Sequence, residues 1–346
     1  MDLFSNKKKI FFSLFGVLFF LIIIEIFSFI LLNIFSSEYK SKEKFNVREF
    51  NELVNDDRFF TMKKEISLNF KSGDKKFSII TDKYGFRINN LKKKRYDDSK
   101  KDKFIFIGDS VPFGWGVNAE FSLPEKFNLY NQNFNIINAA IPSYSLSQAI
   151  VRFEKEIIKL ENIKYVYLQI FDPAITYSIL GNKWKKNINW ANLFIERKKS
   201  CLIFNNSFLY KSYFINVIQK FYNRIGCKFK FNDESNKYFS DVIKSELSKI
   251  TIITKNMDIK LIIAPVNPPI STLNKHNAQL KNSINIINDI LRNNQDKYGY
   301  IFFDTRNILL QNENENFIDK CCHLSNLGAD KVAKELNKII NKLTYE

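Results

Sequence analysis

Histidine, arginine and paired cysteines are scarce in this sequence. Its 346 residues include two histidines and four cysteines. No C-x-x-C pair with a histidine partner is present, which argues against a zinc site. Only nine of the 53 basic residues are arginine, and the lysines behind the net charge of +17 are spread along the chain. Because nucleic-acid readers usually cluster arginines on one element, we expect no nucleic-acid partner. No metal or organic cofactor is implied either.

An apolar run occupies residues 10–35 and is interrupted by a single charge, Glu25. A helix of this length exceeds the hydrocarbon core of a bilayer, which is about 30 Å thick. A cleavable signal peptide would have a shorter apolar core and a small-residue cleavage site, and neither is present. Lysines at positions 7–9 precede the run and favour a cytoplasmic tail at residues 1–9. The run therefore predicts an uncleaved transmembrane anchor.

After the anchor, the charge-rich range 36–75 predicts a juxtamembrane stalk. Residues 76–346 alternate short apolar runs with amphipathic stretches, which predicts an α/β domain with a mostly parallel, five-stranded sheet and helices on both faces. The range 173–237 breaks this alternation and predicts a helical insertion, either a substrate lid or a packing elaboration. The five strands predicted for this sheet are Phe104–Ile107, Phe134–Ile137, Tyr165–Ile170, Leu261–Val266 and Tyr300–Phe303. A further strand is predicted upstream of them, at Phe77–Thr81.

A serine lies in a glycine-rich turn directly after the first of these strands. The turn is Gly108-Asp109-Ser110-Val111-Pro112-Phe113-Gly114-Trp115-Gly116. Such a turn exposes the hydroxyl of Ser110 and points backbone N–H groups at the atom that it attacks. His323 lies near the C-terminus, four residues after Asp319. A serine, a histidine and an acid are the parts of a Ser-His-Asp hydrolase site.

Four motifs make the chain resemble the SGNH (GDSL-type) hydrolase family in its bacterial membrane-anchored form. GDSVPFGWGV, which begins at Gly108, resembles the first block of that family. The lead-in TDKYGFR, the second block NAAIPSYS and the last block DKCCHLSNLGADKVA follow the family order, beginning at Thr81, Asn138 and Asp319. The resemblance covers residues 78–346 and implies a three-layer, flavodoxin-like sandwich. It also implies an extracytoplasmic C-terminal domain on a single-pass protein of the cell membrane.

The resemblance implies a role for each candidate residue. Ser110 would form the acyl-enzyme, His323 would move protons, and Asp319 would orient the imidazole. The N–H groups of Ser110 and Ala140 would form the oxyanion hole. His276 lies in a polar stretch and indicates a surface residue.

Two positions depart from the family pattern. The acid usually lies three residues before the histidine, where this chain has Lys320, so Asp319 requires an altered turn. The alternative is a Ser-His dyad whose imidazole is held by a carbonyl. Phe171 replaces an asparagine that usually supplies a third oxyanion donor, and losing one such donor lowers a rate about a hundredfold or more. Asn118, Asn267 or a residue of the insertion are the candidate substitutes.

These features predict a serine esterase acting on O-acyl groups of a cell-surface glycan or a lipid-like ester. One alternative is an O-acyltransferase that modifies an extracytoplasmic polysaccharide and works with a membrane-protein partner at the anchor helix. Another is a non-catalytic glycan-binding or assembly protein of the same fold. An oxidising compartment would allow Cys201 and Cys227 to form a disulfide. The adjacent Cys321 and Cys322 are interpreted as small packing residues.

Overall fold

The computed structural model describes residues 2–35, 49–58, 60–72, 75–89, 101–170, 217, 233–270, 278–319 and 321–345. The chain divides into two compact units, one formed by residues 1–46 and 186–230 and the other by residues 47–185 and 231–346. Within the first unit, helix α1 spans Asp2–Phe35. The large apolar side chains described on it, from Phe12 to Ile30, are exposed except for the half-buried Ile24. A search of the described residues finds no helix that is long and apolar enough to cross a membrane.

The second unit contains an eight-stranded mixed sheet. The described strands are β1 (Asn51–Leu53), β2 (Phe60–Met62), β3 (Ser67–Ser72), β4 (Lys75–Thr81), β5 (Arg87–Ile88), β6 (Lys103–Ile107), β7 (Asn135–Asn138), β8 (Ile163–Ile170), β9 (Lys260–Pro265) and β10 (Ile301–Phe302). The strand order in the eight-stranded sheet is β10-β9-β8-β6-β7-β5-β4-β3. The pairs from β10 to β7 are parallel, and the pairs from β7 to β3 are antiparallel. A separate antiparallel pair joins β1 and β2.

The sequence predicts a mostly parallel sheet of five strands, whereas the sheet has eight strands and is mixed. Each of the five predicted runs overlaps one strand between β6 and β10, and these five strands are parallel to one another. The remaining three strands, β5, β4 and β3, extend the sheet in that order beyond β7 through antiparallel pairs. Strand β3 lies within the range that the sequence predicts as a stalk, and it pairs along six residues with β4.

The parallel strands are buried on both faces because helices cover each side of the sheet. In β6, Phe104 and Phe106 belong to one buried cluster and Ile105 and Ile107 to the other. This alternation follows from the period of two along a strand. The helices are α2 (Ser110–Phe113), α3 (Leu123–Tyr130), α4 (Leu146–Lys155), α5 (Asp233–Asn256), α6 (Ala278–Tyr298), α7 (Arg306–Leu309), α8 (Glu313–Asn316) and α9 (Asn326–Tyr345).

Two sets of helices form the outer layers. Helices α4, α5 and α6 supply apolar residues to the cluster that contains Ile105. Helices α3 and α9 supply the cluster that contains Phe104. The arrangement is a three-layer α/β sandwich, and it places the carboxyl ends of β6, β7 and β8 at one edge of the sheet. The insertion predicted for 173–237 lies outside the described residues, apart from residue 217 and the start of α5.

Candidate active site

The nucleophile candidate Ser110 begins helix α2, directly after β6 and a sharp turn at Gly108. Gly108 has φ +138°, and a Cβ placed there would lie 2.9 Å from the backbone oxygen of Gln169 and 3.0 Å from the ring of Pro112. Any larger residue would therefore be strained and crowded against strand β8. The turn is possible because this position is glycine, and it brings Ser110 to the carboxyl edge of the sheet.

Asp109 caps helix α2. Its Oδ1 accepts a hydrogen bond of 3.0 Å from the N–H of Val111, and its side chain is buried. Burial raises the pKa of the Asp109 carboxyl to about 6, while the Val111 N–H and the charge of His323 act in the opposite direction. The residue before the nucleophile is thus a structural cap that lies within electrostatic reach of His323.

Arg87, the last residue of the lead-in motif, holds the loop that follows α2. Its guanidinium is buried and donates to four backbone oxygens, those of Phe113 (2.7 Å), Gly114 (2.5 Å), Val117 (2.6 Å) and Ser78 (2.9 Å). It also lies 4.5 Å from the ring centroid of Phe113. Burial lowers the pKa of Arg87 to about 9, so the side chain stays charged at neutral pH. The motif therefore fixes the position of the turn that carries Ser110.

The loop that carries His323 is closed at its base by two backbone contacts. An isolated antiparallel bridge joins Phe317 and Leu324, and the N–H of Ile318 donates to the backbone oxygen of His323 at 2.9 Å. Inside this loop, Asp319 Oδ1 accepts the N–H groups of Cys321 (3.0 Å), Cys322 (3.1 Å) and His323 (3.3 Å). The loop thus wraps around the carboxylate, which accommodates the spacing of four residues between the acid and the histidine.

The structure brings Ser110, His323 and Asp319 into one chain of hydrogen bonds. His323 Nε2 lies 2.9 Å from Ser110 Oγ, and His323 Nδ1 lies 2.5 Å from Asp319 Oδ2. Burial alone would raise the pKa of Asp319, but the hydrogen bond and charge of His323, with the loop N–H groups, lower it to about 2. The acid is therefore ionised at any ordinary pH and can hold the Nδ1–H tautomer, which leaves Nε2 free to accept the serine proton.

The two predicted oxyanion donors differ in their surroundings. No acceptor among the described residues takes the N–H of Ser110. The N–H of Ala140 donates to Asn138 Oδ1 at 3.3 Å, so an oxyanion would have to replace a long hydrogen bond there. The same Asn138 donates through Nδ2 to the backbone oxygens of Pro112 (3.3 Å) and Phe113 (3.1 Å). Asn138 therefore ties the loop after β7 to the turn after β6.

Several other candidate residues are placed away from this chemistry or lie outside the described residues. Asn118 Oδ1 accepts the N–H of Ser78 at 2.9 Å, and Asn267 Nδ2 donates to Pro265 and Thr305 in the core. Asp304, an acid that follows β10, forms ion pairs with Arg306 (2.6 Å) and Arg292 (2.8 Å). Four residues considered in the sequence analysis lie outside the part of the chain that the structure describes, namely Phe171, Cys201, Cys227 and His276.

Cys321 and Cys322 are joined by a disulfide bond. Cys322 is buried in the cluster that contains Phe317 and Leu324, whereas Cys321 is exposed, so only Cys322 matches the interpretation as a packing residue. The ligand atoms of both cysteines and His323 lie within 4.8 Å of one another, close enough to meet around one ion. The two sulfurs are bonded to each other, however, and the imidazole nitrogens already have partners, Nδ1 with Asp319 and Nε2 with Ser110.

Sequence reasoning missed the supporting roles of Asn138, Arg87 and Arg152. Arg152 on α4 donates to the backbone oxygen of Ala139 at 2.8 Å and to that of Gly85 at 3.4 Å, so it links the loop after β7 to the lead-in segment. All three side chains are polar or charged and buried. Arg87 and Asn138 stand in motifs that are visible in the sequence, whereas Arg152 stands in none. The partners of all three are distant in the chain and can be found only from the fold.

Comparisons with known proteins give matches among solved structures only. No family model and no curated protein match the chain. A member of the lipolytic protein G-D-S-L family from Veillonella parvula DSM 2008 is similar at 12% identity and a TM-score of 0.44, over 69% of this chain and 98% of that one. Est24, a carbohydrate acetylesterase from Sinorhizobium meliloti, is similar at 8% identity and a TM-score of 0.43, over 70% of this chain and 100% of that one.

Proposed function

We propose that this chain is a membrane-anchored serine esterase of the SGNH (GDSL) type that removes O-acyl groups from cell-surface glycans or lipid-like esters. One observation carries the reaction type. The Ser110 hydroxyl, the His323 imidazole and the Asp319 carboxylate form a continuous hydrogen-bonded chain, with distances of 2.9 Å and 2.5 Å. These three groups, in this order, are what an activated serine requires.

The first half of the reaction forms an acyl-enzyme. Ser110 Oγ attacks the ester carbonyl carbon while His323 Nε2 takes the hydroxyl proton. The N–H groups of Ser110 and Ala140 stabilise the negative charge that develops on the carbonyl oxygen. When the tetrahedral intermediate collapses, His323 returns the proton to the leaving alcohol. The acyl group remains on Ser110.

The second half releases the acid. His323 Nε2 takes a proton from a water molecule as the water oxygen attacks the acyl carbon. Collapse of the second intermediate breaks the bond to Ser110 Oγ, which regains its proton from His323. Throughout both halves the Asp319 carboxylate stabilises the positively charged imidazole without accepting its proton. If a sugar hydroxyl replaces water, the same residues catalyse acyl transfer to a glycan.

The full chain in detergent should hydrolyse a short-chain aryl acetate and react covalently with a fluorophosphonate probe. Mass spectrometry should locate one phosphonyl group on Ser110. The variant Ser110→Ala should be unlabelled and inactive, whereas Ser248→Ala, which alters a serine of α5, should behave like the natural chain. Hydrolysis that survives in Ser110→Ala would overturn the assignment. An unlabelled, inactive but folded chain would favour the binding-protein alternative, and acyl transfer that exceeds hydrolysis when a glycan is added would favour the transferase.

The membrane anchor and the orientation are also proposals. Their support is the apolar run at residues 10–35, the lysines that precede it and the resemblance to the anchored hydrolases. A C-terminal alkaline phosphatase fusion should be active in a bacterial host, whereas a reporter that requires the cytoplasm should be silent. The opposite pattern would place the domain in the cytoplasm and remove cell-surface glycans as substrates.

A further inference from the structure

We propose that Cys321 and Cys322 form a thiol–disulfide exchange site for dithiols, and that the oxidised pair holds Asp319 in position to orient His323. The inference rests on the proposed function because the redox state of the pair would affect turnover only through Asp319 and His323. The exchange itself does not depend on that function. It requires only the bond between the two cysteines and access to one of their sulfurs.

Access differs sharply between the two cysteines. Cys321 is exposed, whereas Cys322 is 1% exposed and packs with Phe317 and Leu324. A thiolate from a dithiol can therefore attack the sulfur of Cys321, which breaks the bond and releases Cys322 as a thiolate. The second thiol of the reagent then attacks the mixed disulfide and releases Cys321. Both cysteines take up protons, and the dithiol is oxidised by two electrons to its own disulfide.

The pair touches the acid through its backbone. The N–H groups of Cys321 and Cys322 both donate to Asp319 Oδ1, at 3.0 Å and 3.1 Å. A disulfide between adjacent residues closes a small ring around their shared peptide bond, and this ring restricts the backbone torsions that aim the two donors. Reduction opens the ring. The donors then sample other orientations, and the carboxylate spends less time with Oδ2 against His323 Nδ1.

The change should be partial because other contacts remain after reduction. The N–H of His323 also donates to Asp319 Oδ1, and the Phe317–Leu324 bridge still closes the loop. Loosening of hydrogen bonds to a charged group should lower kcat by roughly tenfold, with KM unchanged. This is far less than the effect of removing the carboxylate itself.

A second consequence of reduction has to be separated from the first. Free sulfurs at positions 321 and 322, together with His323, would present three ligand atoms within 4.8 Å to a thiophilic cation. A bound cation would occupy the imidazole and inhibit the enzyme without any loosening of the loop. Reduction is therefore carried out with and without EDTA. Inhibition that EDTA abolishes would overturn the proposal in favour of metal capture.

The test uses the full chain in detergent with Cys201→Ser and Cys227→Ser, so that only the adjacent pair can respond. On reduction with dithiothreitol, we expect the mass to rise by about 2 Da, the mass of two hydrogen atoms, and an alkylating reagent to label Cys321. The N–H groups of Cys322 and His323 should exchange hydrogen faster, and kcat should fall by roughly tenfold and recover on reoxidation. In the further variant Cys321→Ala/Cys322→Ala, neither exchange nor kcat should respond to dithiothreitol.

The outcomes separate this inference from the proposed function. An unchanged mass on reduction would show that the pair is not bonded and would overturn the inference. A mass increase with unchanged hydrogen exchange and unchanged kcat would overturn the link to Asp319. If the oxidised chain lacks hydrolytic activity but reduction still accelerates hydrogen exchange in the loop, the proposed function fails and the exchange site stands.

Discussion

Replacing Asp319 with asparagine is expected to lower kcat for ester hydrolysis by about four orders of magnitude, with little change in the fold. The reason is the tautomer of His323. Asp319 Oδ2 accepts the Nδ1–H of His323 at 2.5 Å, which leaves Nε2 unprotonated beside Ser110. An asparagine can turn its NH₂ group towards Nδ1 and thereby place the imidazole proton on Nε2. Nε2 could then no longer accept the proton of Ser110.

The matched control for Asp319→Asn is Asp304→Asn. Asp304 is also a partly buried acid, but it pairs with Arg292 and Arg306, and its removal should leave kcat nearly unchanged. Steady-state kinetics with an aryl acetate measure both variants, and circular dichroism checks that they fold. If Asp319→Asn keeps kcat within tenfold of the natural chain, a Ser110–His323 dyad is the correct description.

The same substitution has a pH signature in stability. The pKa of Asp319 is lowered to about 2 in the folded chain, below the value of about 3.9 expected for an unfolded aspartate. A lowered acid pKa stabilises the folded state above the unfolded pKa, and this contribution is lost as pH falls through the folded pKa. The difference in unfolding free energy between the natural chain and Asp319→Asn should therefore have its maximum value at pH 6 and a smaller value at pH 3.

The parallel half of the sheet is predictable from sequence, whereas only β4 of the antiparallel half is, because the predicted strand Phe77–Thr81 lies within it. Strand β6 is buried at all five positions, and its last four residues, Phe104–Ile107, appear in the sequence as an apolar run that follows the charged residues at 101–103. Strand β5 has two residues, which is too short for any period to be visible. In β3, Leu68 and Phe70 do alternate with polar residues, but the surrounding charges favour a stalk. This segment forms a strand because it pairs with β4, which is a tertiary effect that the local sequence does not show.

The same distinction holds at the candidate site. Ser110 can be identified locally because a strand, a tight turn and glycines are all adjacent in sequence. The geometry of Asp319 cannot be predicted from the local sequence. It depends on the bridge between Phe317 and Leu324 and on three N–H groups that donate to one carboxylate oxygen. The family spacing alone would reject this acid. The contact with His323 appears only when the loop is closed.

Arg87 is the supporting residue with the largest expected effect on stability. It is 2% exposed, and its four acceptors are backbone oxygens. One belongs to Ser78 in β4, and the other three belong to the end of α2 and the loop that follows it. Replacement by methionine keeps an unbranched apolar stem but removes every donor. Two of these oxygens keep another donor, because Asn138 Nδ2 also donates to Phe113 O and the Val117 N–H also donates to Gly114 O. The loss therefore falls mainly on the oxygens of Ser78 and Val117, and a buried carbonyl oxygen without a donor is unfavourable by about 1–3 kcal/mol.

We therefore expect Arg87→Met to lower the free energy of unfolding by about 4 kcal/mol, measured by denaturant titration of the full chain in detergent. The control is Arg292→Met, which removes an arginine that is half exposed and pairs with Asp304 at 2.8 Å. A surface pair of this kind contributes at most about 1 kcal/mol. If Arg87→Met does not fold, Arg87→Lys, which keeps the charge and some of the donors, should fold with an intermediate loss. Equal midpoints for Arg87→Met and Arg292→Met would show that the guanidinium does not hold the loop that follows Ser110.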